Sequence, residues 1–217
     1  MGVLSRLRTR LRWVLGLAAV AVVGLVAAYA TVLGLGLAGW RTVWRIETLY
    51  GDEVEAACAE HGLPAPYFKA LIFLESSGVA GQNPRFEPAV YERLQEVRDG
   101  RLERYGPITP ELVSDASDDA LRNLATSWGP MQIMGYHCVE IGVLVHDLRD
   151  TDALQWGILW ADQTYGRYLR AGSPRDAFHM HNAGRPFPEQ GPPRTHDPRY
   201  VGRGLRLMRA FWLVGWS

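Results

Sequence analysis

Apolar positions in the second half of the chain recur every three or four residues, the spacing that lines one face of a helix. One apolar stripe begins after Thr151-Asp152 and ends at Gly172, and another covers about 198–213. Their members are Leu154, Ile158, Ala161, Tyr165 and Tyr168, then Val201, Leu205, Met208 and Trp212. Between them, Ser173-Pro174 is a helix-start signal and Gly184 a stop signal. The pattern therefore predicts three consecutive helices.

The preceding part of the chain is predicted to be helical in shorter segments. A helix over about 66–76 has apolar residues at helical spacing and stops before a glycine. A second is predicted over 91–97. Thr109-Pro110 has the form of a cap followed by proline at the first helical position, and Ser117 caps a helix that continues to Ala125.

Two segments read as loops, and no segment reads as a strand. Asn83-Pro84 and Glu87-Pro88 predict a loop over 81–88, because the residue before a proline avoids the helical region. Four of the 13 prolines lie between Arg185 and Thr195, which predicts an irregular loop. No stretch alternates apolar and polar residues convincingly, so the predicted fold class is all-α.

The N-terminal end differs sharply from the rest of the 217 residues. Residues 1–12 carry four arginines, and residues 13–40 contain no charged side chain. A bilayer core needs about 20 helical residues, so these 28 positions predict a transmembrane signal-anchor. The arginines place residues 1–12 in the cytoplasm as a basic tail. Residues 41–217 are then a single periplasmic or extracytoplasmic domain attached to the cytoplasmic membrane.

Two other interpretations of the apolar segment remain open. Ala28-Tyr29-Ala30 has the form of a signal-peptidase site, which would make the segment a cleaved signal peptide. The apolar run continues through Leu37, which favours a retained anchor. The abundance of Gly and Ala is similar to the signal-anchor-release segments of certain phage endolysins, and implies an anchor that can leave the membrane later.

Charge and cysteine content narrow the class of protein further. Residues 41–217 contain 19 basic and 23 acidic side chains, a net charge of −4. We expect no nucleic-acid partner, because such a protein needs a clustered basic face. Cys58 and Cys138 are either a disulfide in an oxidising compartment or two unrelated buried thiols.

Glu75 is the first candidate for chemistry. It lies at the C-terminal end of an otherwise apolar predicted helix, where the helix dipole and an apolar setting both disfavour a carboxylate. Its pKa should therefore be raised. A carboxylic acid that stays protonated near neutral pH is what a glycosidase needs to protonate a leaving sugar oxygen. The alternative is a solvated glutamate of the kind common at helix ends.

Three ordered motifs resemble those of the lysozyme-like superfamily. They are Glu75-Ser76-Ser77-Gly78, Ser127-Trp128-Gly129-Pro130-Met131-Gln132-Ile133-Met134-Gly135 and His181-Asn182-Ala183-Gly184. Goose-type lysozymes and soluble lytic transglycosylases show a similar series. The closest resemblance is to the N-acetylmuramidase family of phage endolysins and bacterial relatives, whose Phe-Glu signature is similar to Phe86-Glu87. The likeness covers about residues 50–213.

The resemblance implies a two-lobed helical fold with a sugar-binding cleft and a muramidase that cleaves peptidoglycan. Glu75 would be the general acid, protonating the oxygen between N-acetylmuramic acid and N-acetylglucosamine. Met131 and Gln132 would line the cleft, with the Gln132 amide bonding a sugar, because a half-buried amide needs partners for both its ends. Asn182 would hold the cleft wall or the substrate. Ser76 and Ser127, which lie in the same motifs, complete this part of the expected substrate-binding set.

The sequence departs from the family pattern at two positions. Pro130 stands where leucine is usual, and proline after Gly129 is well suited to start a helix. His181 stands where the family has tyrosine, and an imidazole can still donate one hydrogen bond to substrate. Trp128 and Tyr136 flank the glutamine motif and are expected to act as platforms for sugar faces.

A second carboxylate decides the reaction. Hydrolysis usually needs one, about 5 to 5.5 Å from the first for retention or about 6.5 to 9.5 Å for inversion. Lytic transglycosylases lack it and form 1,6-anhydro ends. Glu87 is the best candidate, and Asp115 and Asp118 are poorer ones. The alternative for Glu87 is a structural carboxylate that bonds backbone N–H groups. Hydrolysis is therefore the predicted reaction, with transglycosylation as the alternative.

Two further classes of function compete with glycan cleavage. His179, His181 and His196 could be zinc ligands of a wall peptidase or amidase, although no His-Glu-x-x-His spacing is present. A membrane-tethered protein that binds the wall without catalysis is the other alternative, since a fold does not guarantee an activity. We expect no metal or cofactor. The expected partners are peptidoglycan and, through the N-terminal helix, the membrane.

Overall fold

The computed structural model describes residues 13, 15–16, 18–25, 34–79, 84–150 and 152–215. The predicted basic tail over 1–12 lies outside these residues, as do positions 14, 17 and 26–33 of the predicted membrane span. The chain divides into two compact units, 1–41 and 42–217. Within the described residues, no helix combines the length and apolar character needed to cross a membrane.

The described part of the chain is mostly helical, which confirms the predicted class. From Gly36 onwards, the helices are α1 (Gly36–His61), α2 (Ala65–Ser76), α3 (Pro88–Arg98), α4 (Pro110–Val113), α5 (Asp118–Leu124), α6 (Cys138–Ile141), α7 (Ala153–Arg170), α8 (Pro174–Ala183) and α9 (Tyr200–Val214). The strands are β1 (Arg85–Phe86), β2 (Thr126–Trp128) and β3 (Ile133–Met134), and a 3-10 turn covers Gly135–His137.

Local sequence signals account for most of the helix ends. Helices α2, α3, α4 and α8 all have proline in the first two positions, where its missing N–H costs no hydrogen bond. The side chain of Ser117 accepts a hydrogen bond from the backbone N–H of Ala120 and caps α5. Ser77 and Gly184 follow α2 and α8 in the left-handed conformation that ends many helices.

A small antiparallel sheet, ordered β1-β2-β3, corrects the prediction that the chain has no strands. Arg85 pairs with Ser127, and Ser127 pairs with Met134. These strands have two or three residues each, too few for alternation to be visible in the sequence. The predicted helix start at Gly129-Pro130 is also wrong. Gly129 has φ +71° and opens the turn that joins β2 to β3.

Two groups of helices pack within the second unit. Helix α9 packs on α2 and α8, and α8 packs on α7. Aromatic rings fill much of this group, with the centroid of Tyr67 lying 4.4 Å from that of Phe178. Helices α3, α4 and α5 form the second group, whose buried core consists of Leu94, Val97, Ile108, Val113, Leu121 and Ala125. In the chain, β1 comes directly before α3, and β2 and β3 come after α5, so the strands flank this second group of helices.

Buried polar and sulfur groups in this unit are mainly structural. Lys69, the only lysine, is 2% exposed and bonds Glu47 at 2.6 Å and Glu55 at 2.7 Å, which ties α2 to α1. Cys58 and Cys138 are separate buried thiols rather than a disulfide. Burial raises the pKa of Cys58 to about 12 and that of Cys138 to about 11, so both stay protonated and unreactive.

Gly78 provides a test of how closely α1 approaches the end of α2. It has φ +63°, and a Cβ there would lie 2.2 Å from Cγ1 of Ile46. Gly62 has φ +62°, and a Cβ added there would meet no atom within 4 Å, so Gly62→Ala is a matched control. Gly62→Ala should cost about 1–2 kcal/mol of unfolding free energy from backbone strain alone. Gly78→Ala should cost a further ~1–3 kcal/mol from overpacking.

Denaturant unfolding of the two variants measures the difference. In an Ile46→Ala background, which has its own cavity cost, Gly78→Ala should no longer show the extra cost, because the atoms that clash are absent. Equal destabilisation by the two glycine substitutions would contradict the close approach.

Candidate functional site

A cavity of about 370 Å³ opens beside the sheet. Its lining combines the end of α2, strand β1 and the residue after it, the β2–β3 hairpin and the end of α8. The residues are Glu75, Arg85, Glu87, Ser127, Gln132, Met134, His181 and Asn182. Six of them were predicted from the three motifs and the Phe-Glu signature. Segments separated by up to about 100 positions in the sequence thus meet at one polar cavity.

Glu75 lies in the last turn of α2, and its side chain is 20% exposed. Burial raises the pKa of this carboxyl above its ordinary value, against the opposing effects of a hydrogen bond from Tyr200 and the charge of Arg85. The direction is the one expected from the sequence. The largest cause is removal from water, which only the surrounding helices can supply.

Tyr200 is a site residue that the sequence analysis missed. It begins α9, is 7% exposed, and donates its hydroxyl hydrogen bond to Oε1 of Glu75. This bond holds the carboxyl in one orientation and stabilises its ionised form. The two residues are 125 positions apart, and Tyr200 reads locally as the first residue of an apolar helix face. No sequence signal marked it as a partner of Glu75.

His181 lies at the end of α8 as a neutral imidazole whose side chain is 7% exposed. Burial, with a smaller effect from His137, lowers the pKa of His181 to about 3, although a hydrogen bond with the Met131 backbone opposes the shift. Nδ1 shares a hydrogen bond of 2.9 Å with the hydroxyl of Tyr165. Nε2 is 3.9 Å from Oε1 of Glu75, which is too long for a hydrogen bond. At neutral pH the ring therefore gives the cavity polarity without charge.

Gln132 closes the turn between β2 and β3. Its backbone has φ +50°, its Nε2 donates to the carbonyl of Gly129 at 3.0 Å, and its Oε1 accepts from Ser127 Oγ at 2.8 Å. Both ends of the amide therefore have partners within the protein. The amide retains one further N–H and one further lone pair, and the residue lines the cavity. The structure thus gives Gln132 a structural task that the sequence analysis did not foresee.

Glu87 is the second carboxylate of the cavity. It precedes α3, and its backbone N–H donates to the carbonyl of Ala125 at 2.9 Å. Its side chain makes no capping hydrogen bond to α3 and instead forms an ion pair, with Oε1 2.8 Å from Nε of Arg85. Arg85, which no motif indicated, also lowers the pKa of Glu75 by its charge. One guanidinium therefore acts on both acids of the cavity.

Asn182 connects the cavity to the proline-rich loop. Its Oδ1 accepts a hydrogen bond of 3.2 Å from the backbone N–H of His196. About one turn earlier in α8, His179 is fully buried and bonds through both ring nitrogens. Its Nδ1 lies 2.7 Å from the Arg185 carbonyl oxygen, and its Nε2 accepts a hydrogen bond of 2.9 Å from the Arg194 N–H. These bonds fasten the loop to α8 and fix the cavity wall.

The zinc hypothesis gains no support from these histidines. Both nitrogens of His179 already bond backbone groups, and His181 is held by Tyr165. Throughout the ranges that the structure describes, no three His, Cys, Asp or Glu side chains form a group that could hold a metal ion.

Two predicted sugar platforms do not line this cavity. Trp128 is 8% exposed, its Nε1 donates to the Asn123 carbonyl at 3.0 Å, and the guanidinium of Arg149 lies over its ring. Tyr136 packs edge-on against Tyr105, with 5.6 Å between ring centroids. Both rings therefore stabilise the fold. Aromatic residues are enriched in both cores and binding sites, so their type alone could not separate the two.

Ser76 and Met131 are also absent from the cavity lining. Ser76 is 1% exposed, and its hydroxyl donates to the Ile72 carbonyl one turn earlier in α2. Met131 is 1% exposed and faces α7, where a Cβ on Gly157 would lie 3.2 Å from its sulfur. Each lies next to a cavity residue in the sequence, but its side chain points into the protein interior.

The hydrogen bond from Tyr200 predicts how the pKa of Glu75 responds to a substitution. Tyr200→Phe removes a donor that stabilises the carboxylate, so the pKa of Glu75 should rise further. Carbon-13 NMR of the labelled carboxyl, followed through a pH titration, measures this shift. Tyr165→Phe removes the hydroxyl of another buried tyrosine, which bonds His181 instead, and it should leave the pKa of Glu75 much less changed. Equal shifts in both variants would contradict the assignment.

No protein-family model matches the chain, no curated protein matches its sequence, and no solved structure matches its fold.

Proposed function

We propose that this chain cleaves the glycan strands of peptidoglycan by hydrolysis between N-acetylmuramic acid and N-acetylglucosamine, with Glu75 as the general acid. The observation that carries the proposal is the pairing of a buried carboxyl of raised pKa with a second carboxylate on one polar cavity. This is the chemistry that glycoside hydrolysis requires. The resemblance of the three motifs to the lysozyme-like superfamily supports the same reaction.

The surroundings of Glu75 suit proton donation. Because Tyr200 donates to Oε1, the acidic proton of the neutral carboxyl belongs on Oε2, the oxygen that remains to protonate the glycosidic oxygen. As the leaving sugar departs, Glu75 becomes ionised, and both the Tyr200 hydroxyl and the nearby charge of Arg85 stabilise that form. The raised pKa keeps the proton available before reaction, and these two groups favour its release during it.

The other cavity residues suit a sugar with an acetamido group. Gln132 and Asn182 are amides whose oxygens already accept hydrogen bonds within the protein, so their positions are fixed before substrate binds. The neutral His181 adds a polar group without a charge. A pyranose presents several hydroxyl and amide groups, which fixed and mostly uncharged hydrogen-bonding side chains can recognise.

Glu87 is proposed as the base that activates the attacking water. Its ion pair through Oε1 with Arg85 positions the carboxylate at the cavity and leaves Oε2 to accept a proton. If Glu87 serves only to hold Arg85, the reaction becomes that of a lytic transglycosylase, which needs no second carboxylate and closes the muramic acid on itself.

The lysozyme-like two-lobed arrangement is part of the proposal. Helices α3, α4 and α5 have their own buried core, and α2, α7, α8 and α9 pack in the other group. The cavity draws residues from the sheet and from α2 and α8. We propose that the two groups are the lobes and that the cavity is the centre of a longer glycan cleft. Residues 41–217 would act outside the cytoplasm, attached by the N-terminal segment.

The role of Glu75 is tested by Glu75→Gln in the full chain. Loss of the general acid should reduce the release of muropeptides from purified peptidoglycan by about 10²–10⁴-fold. Glu103→Gln, a change of the same kind at an exposed loop residue, should leave the rate unchanged. The readout is chromatography of the soluble products.

The outcome also separates the competing functions. An equally active Glu75→Gln protein that chelators inactivate would replace the proposal with a metal-dependent peptidase or amidase. Binding to peptidoglycan without any released product would indicate a wall-binding protein.

Glu87→Gln tests the second carboxylate. If Glu87 is the base, this variant should lose about 10²-fold or more of the hydrolytic activity, and wild-type products should carry reducing ends. Asp118→Asn is the matched control, because Asp118 is also paired with an arginine, Arg98 at 2.7 Å, but lies outside the cavity lining. Mass spectrometry identifies the ends. Wild-type products with 1,6-anhydro ends and an active Glu87→Gln protein would establish transglycosylation.

A further inference from the structure

Helix α9 carries a strongly basic face that the cavity does not use. Arg203, Arg206 and Arg209 follow one another at intervals of three residues, and Arg199 precedes the helix by one position, so all four lie towards one side. All four side chains are exposed. The opposite side of α9 is buried and packs against α2 and α8. We call this set of four arginines the arginine face.

The charge of this face differs from that of the remaining domain. Residues 198–217 contain four arginines and no acidic residue, whereas residues 41–197 contain 15 basic and 23 acidic side chains, a net charge of −8. Arg199 and Arg203 share Asp197 at 3.5 Å. Among the residues that the structure describes, no carboxylate oxygen lies within 4 Å of a guanidinium nitrogen of Arg206 or Arg209. The positive charge is therefore concentrated on one side of an otherwise acidic domain.

Apolar side chains continue the arginine face at the C-terminal end of α9. Trp212 is 55% exposed and Leu213 is 39% exposed, and they follow Arg209 by three and four residues. Arginine beside exposed tryptophan and leucine is the combination found on helices that lie against lipid headgroups, with the ring at the headgroup level and the guanidinium on phosphate. A site for nucleic acid or an acidic peptide would gain little from the exposed leucine.

We propose that the arginine face, with Trp212 and Leu213, binds an anionic membrane surface. Anionic headgroups attract the four arginines, and the acidic remainder of the domain is repelled, so the charge distribution turns α9 towards the bilayer. The predicted N-terminal anchor would keep the domain within reach. Because Tyr200, on the buried side of α9, bonds Glu75 of the cavity, this contact would also orient the cavity relative to the membrane. The binding does not depend on the proposed glycosidase activity.

Bromolipid quenching of tryptophan fluorescence tests the contact in the full chain. Vesicles contain brominated phosphatidylcholine with or without phosphatidylglycerol, and subtracting the signal of Trp212→Phe isolates Trp212 from the other seven tryptophans. Quenching of Trp212 should be several-fold stronger in anionic than in neutral vesicles. It should fall as salt is raised, because the screening length shortens from about 10 Å at 0.1 M to about 3 Å at 1 M.

Charge-removal variants make the assignment specific. Arg206→Gln with Arg209→Gln should reduce Trp212 quenching in anionic vesicles several-fold. Arg101→Gln with Arg104→Gln removes the same charge from an exposed loop and should not reduce it. Glu75→Gln should also leave quenching unchanged, so a failure of the glycosidase proposal is a separate result.

Three results would overturn the membrane contact. They are an unquenched Trp212 in anionic vesicles, equal quenching with and without Arg206 and Arg209, and displacement from the vesicles by a duplex DNA or polyglutamate that binds the same face more tightly.

Discussion

The packing of α9 against α2 is the contact on which the candidate site depends. It brings the Tyr200 hydroxyl to the carboxyl of Glu75, and it adds to the burial that raises the pKa of this carboxyl, so α9 supplies the hydrogen bond that limits the shift and shares in its cause. Without α9, the Glu75 carboxyl would lose this hydrogen bond and part of its burial. Burial alone would keep the acid protonated, and the hydrogen bond alone would keep it ionised. The balance between them is what a proton donor at neutral pH requires.

The remaining walls of the cavity are held by hydrogen bonds inside the protein. Gln132 is fixed by Ser127 and the turn backbone, and Asn182 is fixed by the proline-rich loop. Each amide keeps hydrogen-bonding capacity beyond these contacts. Internal bonding and substrate binding are therefore compatible roles for the same side chain. A site held in this way loses little conformational freedom when a ligand enters, which favours binding and correct orientation.

Charge is distributed so that the two sides of the domain differ. Glu75 and Glu87 share Arg85 at the cavity, whereas the exposed side of α9 collects arginines with no acidic residue among them. The same helix therefore faces the acid of the cavity through Tyr200 and presents the arginine face to solvent. A surface that binds the arginine face therefore contacts α9, the helix whose Tyr200 bonds Glu75. This contact would link the orientation of the domain to its proposed chemistry.

The sequence by itself determined the helical class, most helix ends and the three motifs, because prolines, caps and apolar spacing act over a few residues. It also indicated six of the residues that line the cavity. Tertiary structure decided the rest. The strands are too short to show alternation in the sequence, and Gly129 begins a hairpin turn rather than a helix. The side chains of Trp128 and Met131 are buried in the interior instead of lining the cavity. Tyr200 and Arg85 belong to the site because folding brings distant segments together. The burial that raises the pKa of Glu75 depends on the same distant segments.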